Sequence, residues 1–174
     1  MNFVVTYFGS SGWFINLDGF KILIDPWLTG DLVFSPGPWL IKGELTKDMP
    51  VPDRIDLLLL TQGLPDHAHP PSLELLNRSV SVICSPSAFK VVDRLGFWRK
   101  QQLVPGEVTN FASIYVEATE GARVPTIENG YIVSNENFSF YIEPHGYLDK
   151  NIKSRQIDTV ITPVVNLSLP LAGS

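Results

Sequence analysis

The sequence predicts a single domain over residues 1–174, of the α/β class and arranged as an α+β sandwich. Three observations indicate this class. Short strands follow one another at the start, a continuous apolar run then leads into alternating helices and strands, and the last third returns to strands joined by tight turns. Hydrophobic residues make up 44% of the chain and charged residues 18%, so the chain has enough apolar material for a core.

Three strands in series open the chain. Phe3–Phe8 and Phe20–Ile24 are rich in β-branched and aromatic residues, and Trp13–Leu17 lies between them. Asp18-Gly19 is typical of a hairpin turn, so we expect the strands to pair as an antiparallel meander. The meander should end at Asp25-Pro26-Trp27, because proline has no N–H to donate to a neighbouring strand.

The segment Thr29–Asp56 contains several prolines and glycines, which exclude a long regular element. A loop of this length in a compact domain is often a lid or a binding loop. It can equally be a segment that covers the edge of a sheet, and the sequence favours neither interpretation.

The next strand leads to a group of polar residues. Leu57–Leu60 is continuously apolar, which predicts a strand buried on both faces. The loop after it carries Asp66, His67 and His69 before Pro70-Pro71. A strand end fixes such a loop while the loop itself faces solvent, so these residues form a candidate site. We expect His69 to be a solvent-facing loop residue.

Helices and strands alternate beyond this loop, which predicts parallel pairing with right-handed crossovers. A short helix is expected over Ser72–Asn77 and a strand over Val80–Cys84. Ser85 is a suitable N-cap for a second helix, and Gly96 is suited to end it.

The last third is predicted to be β structure, with a short helix within Asp149–Arg155. The strands expected are Gln101–Val104, Phe111–Ala118, Gly130–Ser134, Phe138–Ile142 and Asp158–Pro163. The loop Glu143–Gly146 follows one of these strand ends and carries His145. After residue 163 no complete element is predicted.

Composition narrows the classes of partner. The formal net charge is -5 without a basic run, which disfavours nucleic acid and anionic membranes. No apolar stretch approaches the ~18 residues of a membrane span. Cys84 is the single cysteine, so a disulfide within the chain is excluded and the residue is expected in the core. Together these features favour a cytoplasmic protein that acts on or binds a small molecule.

The order of these motifs resembles the metallo-β-lactamase fold superfamily, and in particular its small metal-dependent hydrolases. The residues that carry the resemblance are Ile24–Trp27, Asp56–Thr61, the loop with Asp66 and His67, Pro105–Glu107 and the hairpin Gly130–Ile142. The resemblance implies a four-layer αββα sandwich. The family's last helix and strand have no counterpart, so the domain is expected to be incomplete at its C-terminus.

The family's signature loop has the form His-x-His-x-Asp-His, whose first two histidines help hold one metal ion and whose Asp-His pair helps hold a second. In this sequence the signature falls on residues 62–67, where Gln62 and Leu64 replace the histidines and Asp66-His67 matches. A further family histidine is expected near Glu120-Gly121-Ala122 and is absent. The family's bridging aspartate is absent or replaced by Glu143 or His145.

The resemblance therefore implies at most a mononuclear site. Asp66, His67 and His145 are the strongest candidate ligands, Glu143 and Asp25 are weaker ones, and Asp66 is also the candidate catalytic residue. Three protein ligands and one open position suffice for a catalytic zinc ion, and manganese or iron would also suit these donors. Such an ion would lower the pKa of water toward about 7 for attack on an ester, amide or phosphoester.

Two functions remain open at this stage. The first is a metal-dependent hydrolase with an impaired site. The second is a catalytically inactive family member that binds a ligand or another protein, in which Gln62 and Leu64 replace signature histidines and no metal need be present. A homodimer is also expected, since an uncovered apolar sheet face favours association.

Overall fold

The computed structural model describes residues 2–35, 37–39, 42–123 and 127–164. In chain order the strands are β1 (Phe3–Gly9), β2 (Gly12–Leu17), β3 (Phe20–Ile24), β4 (Leu32–Val33), β5 (Lys42–Gly43), β6 (Leu57–Leu60), β7 (Ser81–Cys84), β8 (Lys100–Gln102), β9 (Val108–Phe111), β10 (Ile114–Arg123), β11 (Ile127–Ser134), β12 (Ser139–Ile142) and β13 (Thr159–Ile161). The helices are α1 (Pro70–Glu74) and α2 (Pro86–Arg94), and Ile152–Ser154 forms a 3-10 turn.

Six strands form the first sheet, in the spatial order β1-β2-β3-β6-β7-β8. The first three pair antiparallel, as the predicted meander requires, and Asp18 and Gly19 adopt φ angles of 50° and 90° in the turn between β2 and β3. From β3 to β8 the neighbours are parallel, and the connections between β6, β7 and β8 run through α1 and α2. The predicted parallel pairing and the predicted alternation of helices and strands are therefore present.

The second sheet has the order β13-β12-β11-β10-β9, and its one parallel pair is β12 with β13. The single strand predicted over Phe111–Ala118 is wrong, because the chain turns at Ala112, with a φ angle of 53°, between β9 and β10. No glycine or proline marks that turn. The strand predicted from Gly130 begins earlier, at Ile127, and so includes Glu128.

Two apolar layers hold these elements together. Leu57 and Leu59 point into the core between the sheets, whereas Leu58 and Leu60 point into the core between the first sheet and the helices. All four are 0% exposed, which confirms the prediction of a strand buried on both faces. Cys84 lies in the helix-side core, where burial raises the pKa of its thiol to about 12.

The segment from residue 29 to 56 contains the paired two-residue strands β4 and β5. Leu28, just before it, is buried in the helix-side core. Among the described residues, no helix is long and apolar enough to cross a membrane. Residues 165–174, where no complete element is predicted, lie outside the described residues.

Candidate metal centre

Two hydrogen bonds join the two sheets at the C-terminal end of β6. The Tyr131 hydroxyl donates to the carbonyl of Leu60 at 3.0 Å, and the Asn129 N–H donates to the carbonyl of Thr61 at 3.0 Å. Both bonds link β11 in the second sheet to the end of β6 in the first. They place Glu128, which precedes Asn129, beside the loop that follows β6.

This loop is fixed by backbone contacts. The carbonyl of Leu64 accepts the N–H groups of His67 and Ala68, at 3.0 and 2.8 Å, so the chain makes one helical turn. Gly63 lies against the start of α2, where a Cβ atom would approach the carbonyl oxygen of Ser87 to 2.6 Å. Only glycine fits at this position, so the loop can pack directly against the start of α2.

His67 is fully buried, and contacts to one of its ring nitrogens, Nδ1, orient the ring. Its Nδ1 lies 2.9 Å from Asp25 Oδ2 and 3.0 Å from Thr61 Oγ1. Asp25 Oδ1 accepts the Thr61 N–H at 2.8 Å, and Asp25 Oδ2 also accepts the Thr61 hydroxyl. Asp25, a weaker candidate ligand by sequence, therefore lies behind the ring with both oxygens engaged, where it positions His67.

The three strongest candidate ligands do converge. Donor atoms of Asp66, His67 and His145 all lie within 4.8 Å of one another, and the two imidazole rings are 5.0 Å apart between centroids. His67 Nε2 is 3.4 Å from Asp66 Oδ2, which is longer than a good hydrogen bond. The ends of β6 and β12 therefore carry these three residues to one place.

Two atoms in this cluster are buried without a partner. His67 Nε2 and Asp66 Oδ1 make no hydrogen bond to any described residue. Buried polar atoms are nearly always hydrogen-bonded, so such atoms at neighbouring positions indicate a missing partner. A divalent cation would bind to both, and these residues therefore fit a metal ion.

Charge pairing dominates the electrostatics when no metal is bound. Burial alone would lower the pKa of His67, but the carboxylates of Asp25 and Asp66 outweigh it and raise that pKa to about 10. Burial would likewise raise the pKa of Asp66, but the nearby His67 ring and its charge lower it. A proton on His67 and a metal ion therefore compete for the same nitrogen.

A second group of donors shares His145. Atoms of Glu128, Glu143 and His145 also lie within 4.8 Å of one another. Glu128 Oε2 is 2.6 Å from His145 Nδ1, which leaves Nε2 as the nitrogen available to an ion. Asp25 also contacts His67 at Nδ1, and there the contact is a hydrogen bond. Carboxylates at this position are typical of metal-ligating histidines.

Glu143 is held by the backbone of its own loop. Its Oε2 accepts the N–H groups of His145 at 3.0 Å and of Tyr147 at 2.7 Å. Its Oε1 is buried and makes no hydrogen bond within the described part of the chain. Burial raises the pKa of the Glu143 carboxyl.

Sequence reasoning missed Glu128, because the strand that carries it was predicted to begin at Gly130. A glutamate directly before a predicted strand was the available signal. Asp25 and His69 belong to neither converging donor group among the described residues. Gln62 is fully buried and Leu64 is partly buried.

The expectation that His69 faces solvent is wrong. The residue is 3% exposed, its Nδ1 is 2.8 Å from Ser72 Oγ and its Nε2 is 3.2 Å from the carbonyl oxygen of Asp31. Burial lowers its pKa. The prolines that follow it begin α1 at once, so His69 is the residue before that helix and packs under the segment that begins at Leu28.

Comparison with known proteins identifies similar chains. The profile of a family described as a beta-lactamase superfamily domain matches residues 4–172. CmlA, a diiron beta-hydroxylase from Streptomyces venezuelae, is 22% identical, with a TM-score of 0.67 over 91% of this chain and 34% of its own. An isothiocyanate hydrolase from Delia radicum gut bacteria is 17% identical, with a TM-score of 0.66 over 86% of this chain and 66% of its own.

A third structure is the metallo-beta-lactamase fold protein YhfI from Bacillus subtilis, 12% identical, with a TM-score of 0.60 over 87% of this chain and 62% of its own. This chain thus spans between about one third and two thirds of the three structures. Among curated protein sequences, none is significantly similar to it. The matches confirm the predicted fold, an α/β sandwich of the metallo-β-lactamase type.

Proposed function

This chain belongs to the beta-lactamase superfamily, and from that membership we propose that it is a metal-dependent hydrolase with a single-ion site. The observation that carries the proposal is the pair of unpartnered buried atoms, His67 Nε2 and Asp66 Oδ1, within reach of His145. The isothiocyanate hydrolase and the diiron hydroxylase among its structural neighbours support hydrolysis and metal binding respectively.

In this proposal Asp66, His67 and His145 hold the ion, while Asp25 and Glu128 orient the two rings. Two imidazoles and one carboxylate, with no thiolate, suit zinc, manganese or iron. A bound ion would supply Lewis-acid chemistry and acidify water. The substrate would be a small molecule with an ester, amide or phosphoester bond, and the protein would work in the cytoplasm.

Asp66 is placed for a further role beside that of ligand. Asp66 is ionised at neutral pH, because its pKa lies below the ordinary value for an aspartate. An ionised carboxylate at this point can accept a hydrogen bond from water and hold that water near the substrate. This is the basis for its assignment as the catalytic residue.

A second function, a binding module without metal, is favoured by a different observation. Asp25, His67 and the partly exposed Asp66 form an ion triad when His67 carries a proton, and the raised pKa of about 10 keeps the proton there at neutral pH. The triad is then satisfied electrostatically without an ion. Gln62 and Leu64, in place of two signature histidines, also remove family ligands.

Metal content separates the two functions. Protein purified in the presence of zinc, manganese or iron should contain about one ion per chain by elemental analysis, and an Asp66→Ala, His67→Ala double variant should contain none. His69→Gln is the matched control, because it changes a buried loop histidine outside the cluster, and it should keep the ion. A metal-free parent protein would exclude the hydrolase in this form and leave the binding module.

A further inference from the structure

The outer strand β1 differs from the other outer strands of the two large sheets. It lies at one end of the first sheet, and within the described part of the chain it pairs only with β2. β1 is seven residues long, whereas the outer strands β8 and β13 have three residues each and β9 has four. Short outer strands offer little length for pairing with another strand, so β1 is the edge best suited to it.

β1 also lacks the residues that usually keep edge strands apart. Such strands commonly carry a lysine, another charge or a proline. Residues 2–17, which include all of β1 and β2, contain neither a charged side chain nor a proline, although the chain has a net charge of -5. Val4, Val5 and Tyr7 are 49%, 37% and 54% exposed. The edge is therefore open, apolar and uncharged.

Backbone groups on the open side of β1 are placed to bond to another strand. The Asp18 N–H donates to the carbonyl of Asn2 at 2.8 Å, so Asn2 directs its carbonyl toward β2. In an antiparallel pair only every second residue bonds to the neighbouring strand. The N–H and C=O groups of Phe3, Val5 and Tyr7 therefore point away from β2. A row of such groups is a template for one more strand.

From these observations we propose that two copies of this chain associate through β1, paired antiparallel about a two-fold axis at Val5. In this register Phe3 lies opposite Tyr7 of the second copy, and Val4 lies opposite Thr6 of the second copy. The outward-facing residues of each pair exchange both of their main-chain hydrogen bonds. Aromatic pairs and pairs of β-branched residues are also favourable across neighbouring strands.

The chemistry of the edge favours a second copy as its occupant. A half-turn about Val5 brings aromatic against aromatic and β-branched against β-branched side chains, so β1 is self-complementary. Because the edge carries no charge, no like charges face each other there although each chain is acidic overall. Contact along one strand is smaller than the roughly 1,600 Å² of a standard interface, so the dimer should depend on concentration. None of the candidate metal ligands lies on β1, and the proposal is independent of the hydrolase function.

Sedimentation equilibrium of the full chain tests for the dimer. Over concentrations from about 1 µM to about 1 mM, we expect the average mass to rise from one chain to two, with a Kd on the order of 100 µM. Amide hydrogen exchange at Val5 should slow over the same range, whereas exchange on β9 should not change. A protein that stays monomeric, or exchange at Val5 that is independent of concentration, would overturn the proposal.

A charge at the proposed axis locates the interface. Val5→Lys places two ammonium groups opposite each other and should raise the Kd at least about tenfold. The matched control is Val108→Lys, at a valine that is 44% exposed on the outer strand β9, and it should leave the Kd unchanged. An unchanged Kd in Val5→Lys, or an equal rise in both variants, would overturn the assignment to β1.

A mixing experiment separates a lost contact from a lost fold. The Val5→Lys and Val5→Glu variants should each be monomeric alone and should form a heterodimer when mixed, because the axis places position 5 of both copies together. Restored association shows that both variants are folded. If circular dichroism shows both variants folded and the mixture stays monomeric, the antiparallel register at Val5 is wrong. If either variant is unfolded, the exchange of the parent protein at Val5 decides the outcome.

Discussion

His67 and His145 reach the candidate metal centre from the ends of β6 and β12, and the two strand ends hold them differently. His67 is 0% exposed and is engaged by Asp25, by Thr61 and, at longer range, by Asp66. The His145 side chain is 34% exposed, and Glu128 is its one ion-pair partner among the described residues. One half of the site is built into the core, and the other half is held by a single carboxylate.

This difference changes what each histidine indicates about function. His67 closes an ion triad with Asp25 and Asp66, and these contacts hold its ring in place whether or not a metal binds. His145 closes no comparable network, and its position beside His67 is more readily explained by a shared ligand. The metal hypothesis therefore depends more on the loosely held half than on the part of the family signature that is present.

The largest loss of stability is expected from a variant that disrupts the buried half of the site, around His67. Asp25→Ala removes the acceptor of bonds from Thr61 and His67 and leaves a charged imidazole buried. We expect the free energy of unfolding to fall by about 3–5 kcal/mol, measured by urea denaturation. The matched control Asp31→Ala removes a half-exposed carboxylate paired with Lys42 and should cost at most about 1 kcal/mol. Similar losses in both variants would remove the distinction between the halves.

The strands next to the site show how far local sequence signals determine the fold. The proline after Asp25 predicted the end of the meander, and the apolar run Leu57–Leu60 predicted the central strand, because both signals are local. The turn at Ala112 was missed because the left-handed conformation of an alanine has no sequence marker. Local patterns thus predict strands and their order well, and predict irregular turns less well.

The site was predictable in part for the same reason. Strand-end loops carry Asp66, His67 and His145 in a recognisable order, and these three residues do converge. The place of Glu128 in the site and the burial of His69 were missed. Both depend on how distant segments pack against each other, and the pattern of residues along one strand does not encode that packing. The role of Asp25 behind the ring likewise depends on a contact across 42 residues of sequence.

A smaller loss of stability is expected when the pH of chelator-treated protein is raised. Asp25, Asp66 and the ring of His145 face His67, whose pKa is raised from 6.5 to about 10 in the folded state. Since the folded state binds this proton more tightly, its contribution to stability is complete below pH 6.5 and is lost as the pH rises through 10. We expect the free energy of unfolding to fall by about 2–4 kcal/mol over that interval.

Urea denaturation at several pH values measures this slope, and His67→Gln is the informative comparison. The glutamine variant lacks the titrating ring and should show a much flatter dependence between pH 6.5 and 10. Parallel curves for the two proteins would mean that His67 is not the titrating group and that the triad does not stabilise the fold through its proton.

The smallest effect on stability is expected in the loosely held half, from Glu128→Gln. Glu128 is fully buried, so removing its charge also removes a desolvation cost that offsets the lost ion pair with His145. His145 can turn toward water when that pair is lost. We therefore expect the free energy of unfolding of the metal-free protein to change by no more than about 1 kcal/mol.

The same variant should nevertheless bind metal about 10–100-fold more weakly, because the carboxylate that orients the His145 ring is gone. Competition with a chelating dye measures this affinity, and Glu117→Gln, which removes a carboxylate paired with Arg155 outside both donor groups, should leave it unchanged. Unchanged affinity in Glu128→Gln would take His145 out of the metal centre. A loss of stability as large as that of Asp25→Ala would instead make both halves parts of one core, and the exposure of His145 would then have no functional meaning.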